Sequence, residues 1–418
     1  MLNVATRSVT SGGFAACSSS PPPKQPATRQ AHRARSRPNL KRMTRDPLTL
    51  DTRGTTGQRD GIAISDTSEI TLDELQLSGR NHSIPLEALK HDITPIGLHY
   101  LLTHFDIPKV DAETWQLEFG GLVEKPLTLT LANVKARPTR TMAVTLECAG
   151  NGRALIEPRP MSQPWLQGAV GTAEWTGTPL APLLEEAGLA AEAKEIVFSG
   201  FDRGIQGDLE HAYERSLPVA EAQRDEILLA YEINGQPLPP QHGFPLRLIV
   251  PGWYGMTHVK WLSAITAVAE PFTGWQQDVA YHVRASEDEQ GEPVTRIKPR
   301  SLMAPPGIPE FLSRTRYVEP GPCPVEGRAW SGQAPIARVE FSDDGGETWA
   351  DAELSVPVGE FAWRGWSYGW KAAAGAHELC CRATDETGNV QPLAPEWNWD
   401  GVCNNAVQRV QVVVRSAD

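Results

Sequence analysis

Cys148 ends the run TMAVTLECAGNGR (141–153), where an alternating apolar and polar pattern stops on a thiol and opens into a turn holding two glycines. Such a thiol has three chemistries open to it. Buried, it is a small inert hydrophobe. With a lowered pKa and a neighbouring base it is a nucleophile, and the N–H groups of the following turn could serve as an oxyanion hole. His242 or His258 would be the base of such a cysteine hydrolase. As a metal ligand it needs help, because one thiolate without nearby His or Cys partners does not hold zinc and a cofactor must supply the other ligands. The cysteines (17, 148, 323, 380, 381 and 403) include no CxxC pair and no zinc-type spacing, so neither a zinc site nor a disulfide framework is expected.

The elements that must place this thiol read as strands with occasional helices. WQLEFGGLV (115–123) and PLTLTL (126–131) form a pair joined at Glu124-Lys125-Pro126, and MAVTLE follows. The stretch 178–189 predicts a helix, with Thr178 as its cap, Pro179 in its first turn and Gly188 as its stop. Strands are expected at 195–201, 226–233, 245–250 and 258–269. Helices come singly, without regular βαβ alternation, which predicts a mixed α+β domain. No phosphate-loop or dinucleotide motif occurs. Residues 285–312 are rich in Pro, Gly and charge, as a linker is. Beyond them, short strands between turns such as Asp344-Gly345-Gly346 predict an immunoglobulin-like β-sandwich, its tryptophans serving as core and interface anchors. The expected organisation is a disordered basic tail over 1–60, a catalytic domain over 61–290, and a sandwich with its linker over 291–418.

Charge is uneven. Residues 1–59 carry 11 Lys/Arg against Asp46 and Asp51, a net +9 that leaves −21 on the rest of a 418-residue chain whose total is −12. The acidic body argues against nucleic acid as a partner and favours a basic protein one. No run of apolar residues is long enough to span a membrane, and no convincing signal peptide is present, so a soluble protein, cytoplasmic or periplasmic, is expected.

TLECAGNGR closely resembles the cysteine motif of the sulfite oxidase family of molybdenum enzymes, and the likeness continues in order through 164–180, FSGFDRG (198–204), 228–262 and EWNWDGVCNNAVQRV (396–410). The resemblance covers roughly residues 90–415. It implies a molybdenum–molybdopterin cofactor whose metal takes Cys148 as its thiolate ligand. It assigns pterin contacts to Tyr100, Leu101, Leu102, Thr103 and His104, to Asp202, to His242 and Arg247, and to His258, Val259 and Lys260. Arg153 matches the anion-binding arginine after the cysteine, Trp165 a tryptophan of the same pocket, and Tyr281 the tyrosine beside the metal, where a phenol can pass a proton. Two family arginines that hold the oxyanion are replaced, by Leu102 and Asp400, and Arg159, Arg284 and Arg300 are the candidates to compensate.

The expected function is therefore molybdenum-dependent oxygen-atom transfer, sulfite to sulfate in the first instance, or the same chemistry on another small oxyanion or an S- or N-oxide. The chain carries no haem or flavin motif, so an external electron acceptor such as a cytochrome is expected, and the family places a homodimer contact on the sandwich. The cysteine hydrolase, and a non-catalytic interaction protein with an empty pocket, are the remaining alternatives.

Overall fold

The computed structural model describes residues 70–416; the basic tail expected over 1–60 lies outside them. Two sheets carry the N-terminal half. In the first, β1 (Gln116–Gly121) lies between β2 (Leu127–Thr130) and β10 (Leu262–Val268), and β10 continues into β5 (Glu195–Gln206) and β6 (Leu209–Pro218). Only β1 and β10 run parallel. In the second, β3 (Arg140–Glu147) pairs with β4 (Val170–Pro179), which pairs with β7 (Leu228–Ile233); β7 also holds β8 (Gln236–Pro237) and β9 (Arg247–Ile249). Leu117, Phe119, Ile196, Phe198, Leu229, Leu248 and Ile265 meet in one core, which ties the two sheets together by burial of apolar surface.

β3 explains how Cys148 comes to be inside. Its first residues are exposed, but Val144, Thr145, Leu146 and Glu147 are all buried, so the strand runs from the surface into the interior and delivers the thiol there. The helix expected at 178–189 exists as Ala181–Ala187 and stops at Gly188, whose φ of +67° suits a residue without Cβ. Its start differs from expectation. Thr178 stays in β4 and donates its hydroxyl to the Pro138 carbonyl (3.0 Å), so the tertiary partner wins over the cap and Pro179 ends the strand instead. The strand expected at 258–269 also begins late, at Leu262. His258 is held out of it because Val250 N–H donates to its Nδ1 (3.1 Å) while Nε2 faces the Trp253 carbonyl (3.0 Å).

The C-terminal half is two stacked sheets. One joins 300–303, 321–330, 364–372 and 353–354; the other joins 308–309, 316–318, 408–414, 375–385, 336–342 and 350–351. Val325, Trp366 and Trp370 from one sheet meet Val339, Phe341, Leu379 and Val412 from the other. Between the last two strands the segment 398–405 leaves the sandwich and reaches the cysteine turn. Cys403 N–H donates to the Ala149 carbonyl (2.7 Å) and Asn404 Nδ2 to the Gly152 carbonyl (2.8 Å). Among the described residues no helix is long and apolar enough to cross a membrane.

Candidate active site

The turn after β3 is built from two successive tight bends, with Asn151 N–H donating to Cys148 O (2.9 Å) and Arg153 N–H to Gly150 O (3.0 Å). Both glycines are required. Gly152 sits at φ +88°, and a Cβ there would lie 2.9 Å from Asn404 Nδ2. A Cβ at Gly150 would lie 2.6 Å from Arg153 Nη1, so the guanidinium folds back over the turn only because that space is open. Arg153 is buried, and backbone carbonyls hold it: Nε donates to Asp400 O (3.2 Å) and Gly401 O (3.1 Å), Nη1 to Gln163 O (3.1 Å). Burial pushes the Cys148 thiol above its ordinary pKa, and the charge of Arg153 opposes that rise.

Cys148 opens into a cleft. Tyr100, Leu101, Leu102, His104, Asp202, His242, Arg247, His258, Lys260 and Tyr281 line it with Cys148. Thr103, Val259, Arg153 and Trp165 do not. Thr103 is buried with its N–H on Asn81 Oδ1 (2.7 Å), Val259 is in the core, and Arg153 and Trp165 are buried next to the Cys148 thiol. The lining also holds residues that the sequence reading passed over: His99, Tyr213, Met256 and Trp261. His99 had a signal, being one residue ahead of the matched segment, whereas an aromatic on a strand, as Tyr213 is, reads as core.

The cleft is cationic and short of partners. Arg247 donates to the His242 and His258 carbonyls (3.0 and 3.3 Å) and sits over Trp175, but among the described residues it pairs with no carboxylate. Lys260 Nζ donates to Leu102 O and Gln241 O (2.9 and 3.0 Å). Desolvation, with Arg247 nearby, brings Lys260 down to about 7, and desolvation takes Asp202 up to about 6. His99, His104, His242 and His258 are lowered to about 4, 4, 2 and 3, first by burial, so they are neutral hydrogen-bonding groups at ordinary pH. Among the described residues Asp202 Oδ1 and Arg247 Nε are buried without partners. Buried polar atoms are rarely left this way, so a polar, anionic guest fits the cleft.

A hydrolase reading fares worse. A nucleophile needs a base within hydrogen-bond reach, and among the described residues no hydrogen bond joins Cys148 to a histidine. His258 has both ring nitrogens committed to the backbone.

Residues 104–276 match the oxidoreductase molybdopterin-binding domain, and residues 297–415 match the Mo-co oxidoreductase dimerisation domain. The chain is 34% identical to sulfite oxidase of Gallus gallus over 79% of its own length and 75% of that protein's. The chain belongs to the sulfite oxidase family. It is also 36% identical to the mitochondrial sulfite oxidase of Homo sapiens, over 80% of this chain but 64% of that protein, so it spans less than two thirds of that relative. Nitrate reductase [NADH] of Solanum lycopersicum is 34% identical over 81% of this chain. Among solved structures, the sulfane dehydrogenase SoxCD of Paracoccus pantotrophus superposes with a TM-score of 0.70 at 25% identity, covering 87% of this chain and 96% of the other.

The residues present fit the family's molybdopterin: Cys148 would supply a soft sulfur donor, Arg247 and Lys260 would offer charge to a phosphate, and Asp202 would offer a partner to ring N–H groups. A pH test follows. In cofactor-free protein Lys260 binds its proton more weakly folded (about 7) than unfolded (10.5), so stability rises as pH climbs between those values. Asp202 binds its proton more tightly folded (about 6) than unfolded (3.8), so stability drops as pH rises across that window. The four cleft histidines oppose Asp202, because each binds its proton more weakly folded than unfolded (6.5), and together they outweigh that one carboxylate. Thermal melts of cofactor-free protein are therefore expected to rise from acid pH through neutrality, and an anion bound at Lys260 is expected to flatten the limb above about pH 7.

Proposed function

We propose that this chain oxidises a small sulfur substrate, sulfite in the first instance, to sulfate with water as the oxygen source. The overall change takes one sulfite and one water to one sulfate, two protons and two electrons. When bound, the molybdenum cofactor supplies a two-electron redox centre able to exchange an oxygen atom. The protein's own residues bind and orient. Cys148 anchors the metal, the cationic end of the cleft holds the pterin phosphate, and Arg153 presents a guanidinium whose direction is set by three carbonyls. Tyr281 lines the cleft with a phenol that burial takes up to about 12, so it keeps its proton at rest and can lend it to a hydrogen bond.

The observation that carries this reading is Arg153 folded over Gly150 beside Cys148, a cation held next to the proposed metal ligand. Arg153→Lys keeps the charge and loses the fork, so the expected result is a KM for sulfite raised about 10-fold or more, with a smaller change in kcat. An unchanged KM would remove Arg153 from the substrate site.

A second reading has a specific observation behind it. Leu102 brings no charge, and Asp400 is paired with Arg284 (2.9 Å), while Arg159 pairs with Glu74 and Arg300 with Glu147 (2.6 Å). None of the three lines the cleft, and each is already paired with a carboxylate. A site without the two arginines that the resemblance expects departs from the sulfite pattern, and a solved relative is a sulfane dehydrogenase, which makes a sulfane-bearing substrate such as thiosulfate the alternative. Thiosulfate turned over with kcat/KM at least about 10-fold above that for sulfite would make the sulfane reading the right one.

Residues 61–290 are assigned the catalytic role and 291–418 the homodimer contact, which the dimerisation-domain match over 297–415 supports. Electrons leave singly to an external acceptor, and the acidic body favours a small basic cytochrome. Raising ionic strength is expected to slow cytochrome reduction while leaving a small neutral acceptor unaffected.

A further inference from the structure

Asp400 stands where the resemblance expects an oxyanion-holding arginine, and its surroundings give it a different task. The strap 279–284 carries Tyr281 past the cleft. Tyr281 adopts φ +63°, a left-handed conformation that a bulky side chain resists, so something must hold it. From one side Val294 N–H donates to the Tyr281 carbonyl (2.9 Å). From the other, the segment carrying Asp400 closes on the strap at three points. Trp399 N–H donates to Arg284 O (2.8 Å), His282 N–H donates to Asp400 Oδ2 (3.4 Å), and Arg284 Nη2 donates to Asp400 Oδ1 (2.9 Å). Arg284 Nη2 also reaches the Val279 carbonyl (3.4 Å), so one carboxylate and one guanidinium span the strap end to end. The Asp400 main-chain carbonyl meanwhile accepts from Arg153 Nε (3.2 Å).

We propose that Asp400 is a positioning residue that clamps the strap and fixes Tyr281 over the cleft through His282 N–H and Arg284, instead of meeting substrate. Both carboxylate oxygens are then spent on the strap, and the negative charge is neutralised by Arg284. The same residue orients the phenol with its side chain and Arg153 with its carbonyl. The inference deepens the reading above and rests on it only for the chemical use made of Tyr281.

The test is made on holoenzyme with two readouts. Hydrogen exchange of the peptide spanning 279–284 is expected to speed up about 10-fold or more in Asp400→Leu, because charge-assisted hydrogen bonds are lost there. Asp400→Asn, which keeps an acceptor, and Arg284→Gln, which removes one leg without touching position 400, are expected to fall between, so a poorly folding Leu variant does not remove the test. In turnover, Asp400→Leu is expected to lower kcat about 10-fold with KM within about twofold, and this loss is expected to shrink below about twofold in a Tyr281→Phe background. Unchanged exchange in all three variants would overturn the clamp. So would a substitution that moves KM more than kcat, which means direct contact with substrate, or losses that multiply in the double variant, which mean that Asp400 does not act through Tyr281. If Tyr281→Phe alone leaves turnover intact, the role given to the phenol fails, and the exchange rates still decide whether Asp400 holds the strap.

Discussion

Cys148→Ser is expected to give a folded chain that has lost its molybdenum and its activity together. Serine nearly matches the thiol in size, and the backbone bonds of the turn (Asn151 N–H to residue 148, residue 148 N–H to Ala169 O at 2.9 Å) do not involve the side chain. What changes is donor chemistry. A hydroxyl is a harder and far weaker ligand than a thiolate, and losing a direct ligand should cost more than the 10–100-fold typical of lost outer partners. Molybdenum per chain, pterin fluorescence and turnover, measured on one preparation, are expected to drop by more than about 100-fold for activity and to near background for metal. A thiol hydrolase predicts otherwise, since its wild-type protein would hold no molybdenum to lose.

The second large effect is structural. Arg300, from the C-terminal half, donates to Glu147 Oε1 (2.6 Å) and to Asn151 O (3.3 Å), and both charged side chains are 1% exposed. Glu147 also accepts from Trp330 Nε1 (2.7 Å) and Asn151 Nδ2 (2.9 Å). The pair therefore pins the residue next to Cys148 to the sandwich. Arg300→Met leaves Glu147 buried with neutral donors alone, and breaking such a pair from one side costs about 3–5 kcal/mol. A lower denaturation midpoint and reduced molybdenum content are expected. Glu147→Gln combined with Arg300→Met is expected to recover much of the lost stability, because the uncompensated charge is gone. Equal losses in the single and double variants would show that shape, not charge, is what Arg300 contributes.

Local features were legible in the sequence and long-range ones were not, for a physical reason. The bends at 148–153 depend on glycines and contacts a few residues apart, and the alternation in β3 depends on its own burial, so both can be read along the chain. The ordered likeness to the family placed most cleft-lining residues before any coordinates did. The ion pairs were hidden because their partners are far apart: Asp400 is 116 residues from Arg284, and Glu147 is 153 from Arg300. Asp400 therefore read only as a lost oxyanion-holding arginine, when its carboxylate is paired with Arg284. Thr178 misled in the same way, its hydroxyl having found Pro138 rather than a helix N-terminus. His258 looked available as a base, yet its ring is part of the backbone scaffold that sets up β9 and β10.

The proposed activity is removal of two electrons from a small sulfur substrate in the cleft at Cys148, with Arg153 held beside that thiol. It is tested most directly by adding limiting sulfite to molybdenum-replete protein in the presence of excess oxidised cytochrome c and counting both products. Two cytochromes reduced and one sulfate formed are expected for each sulfite consumed. Molybdenum-replete protein that reduces no cytochrome with sulfite, and none with thiosulfate in its place, would contradict it.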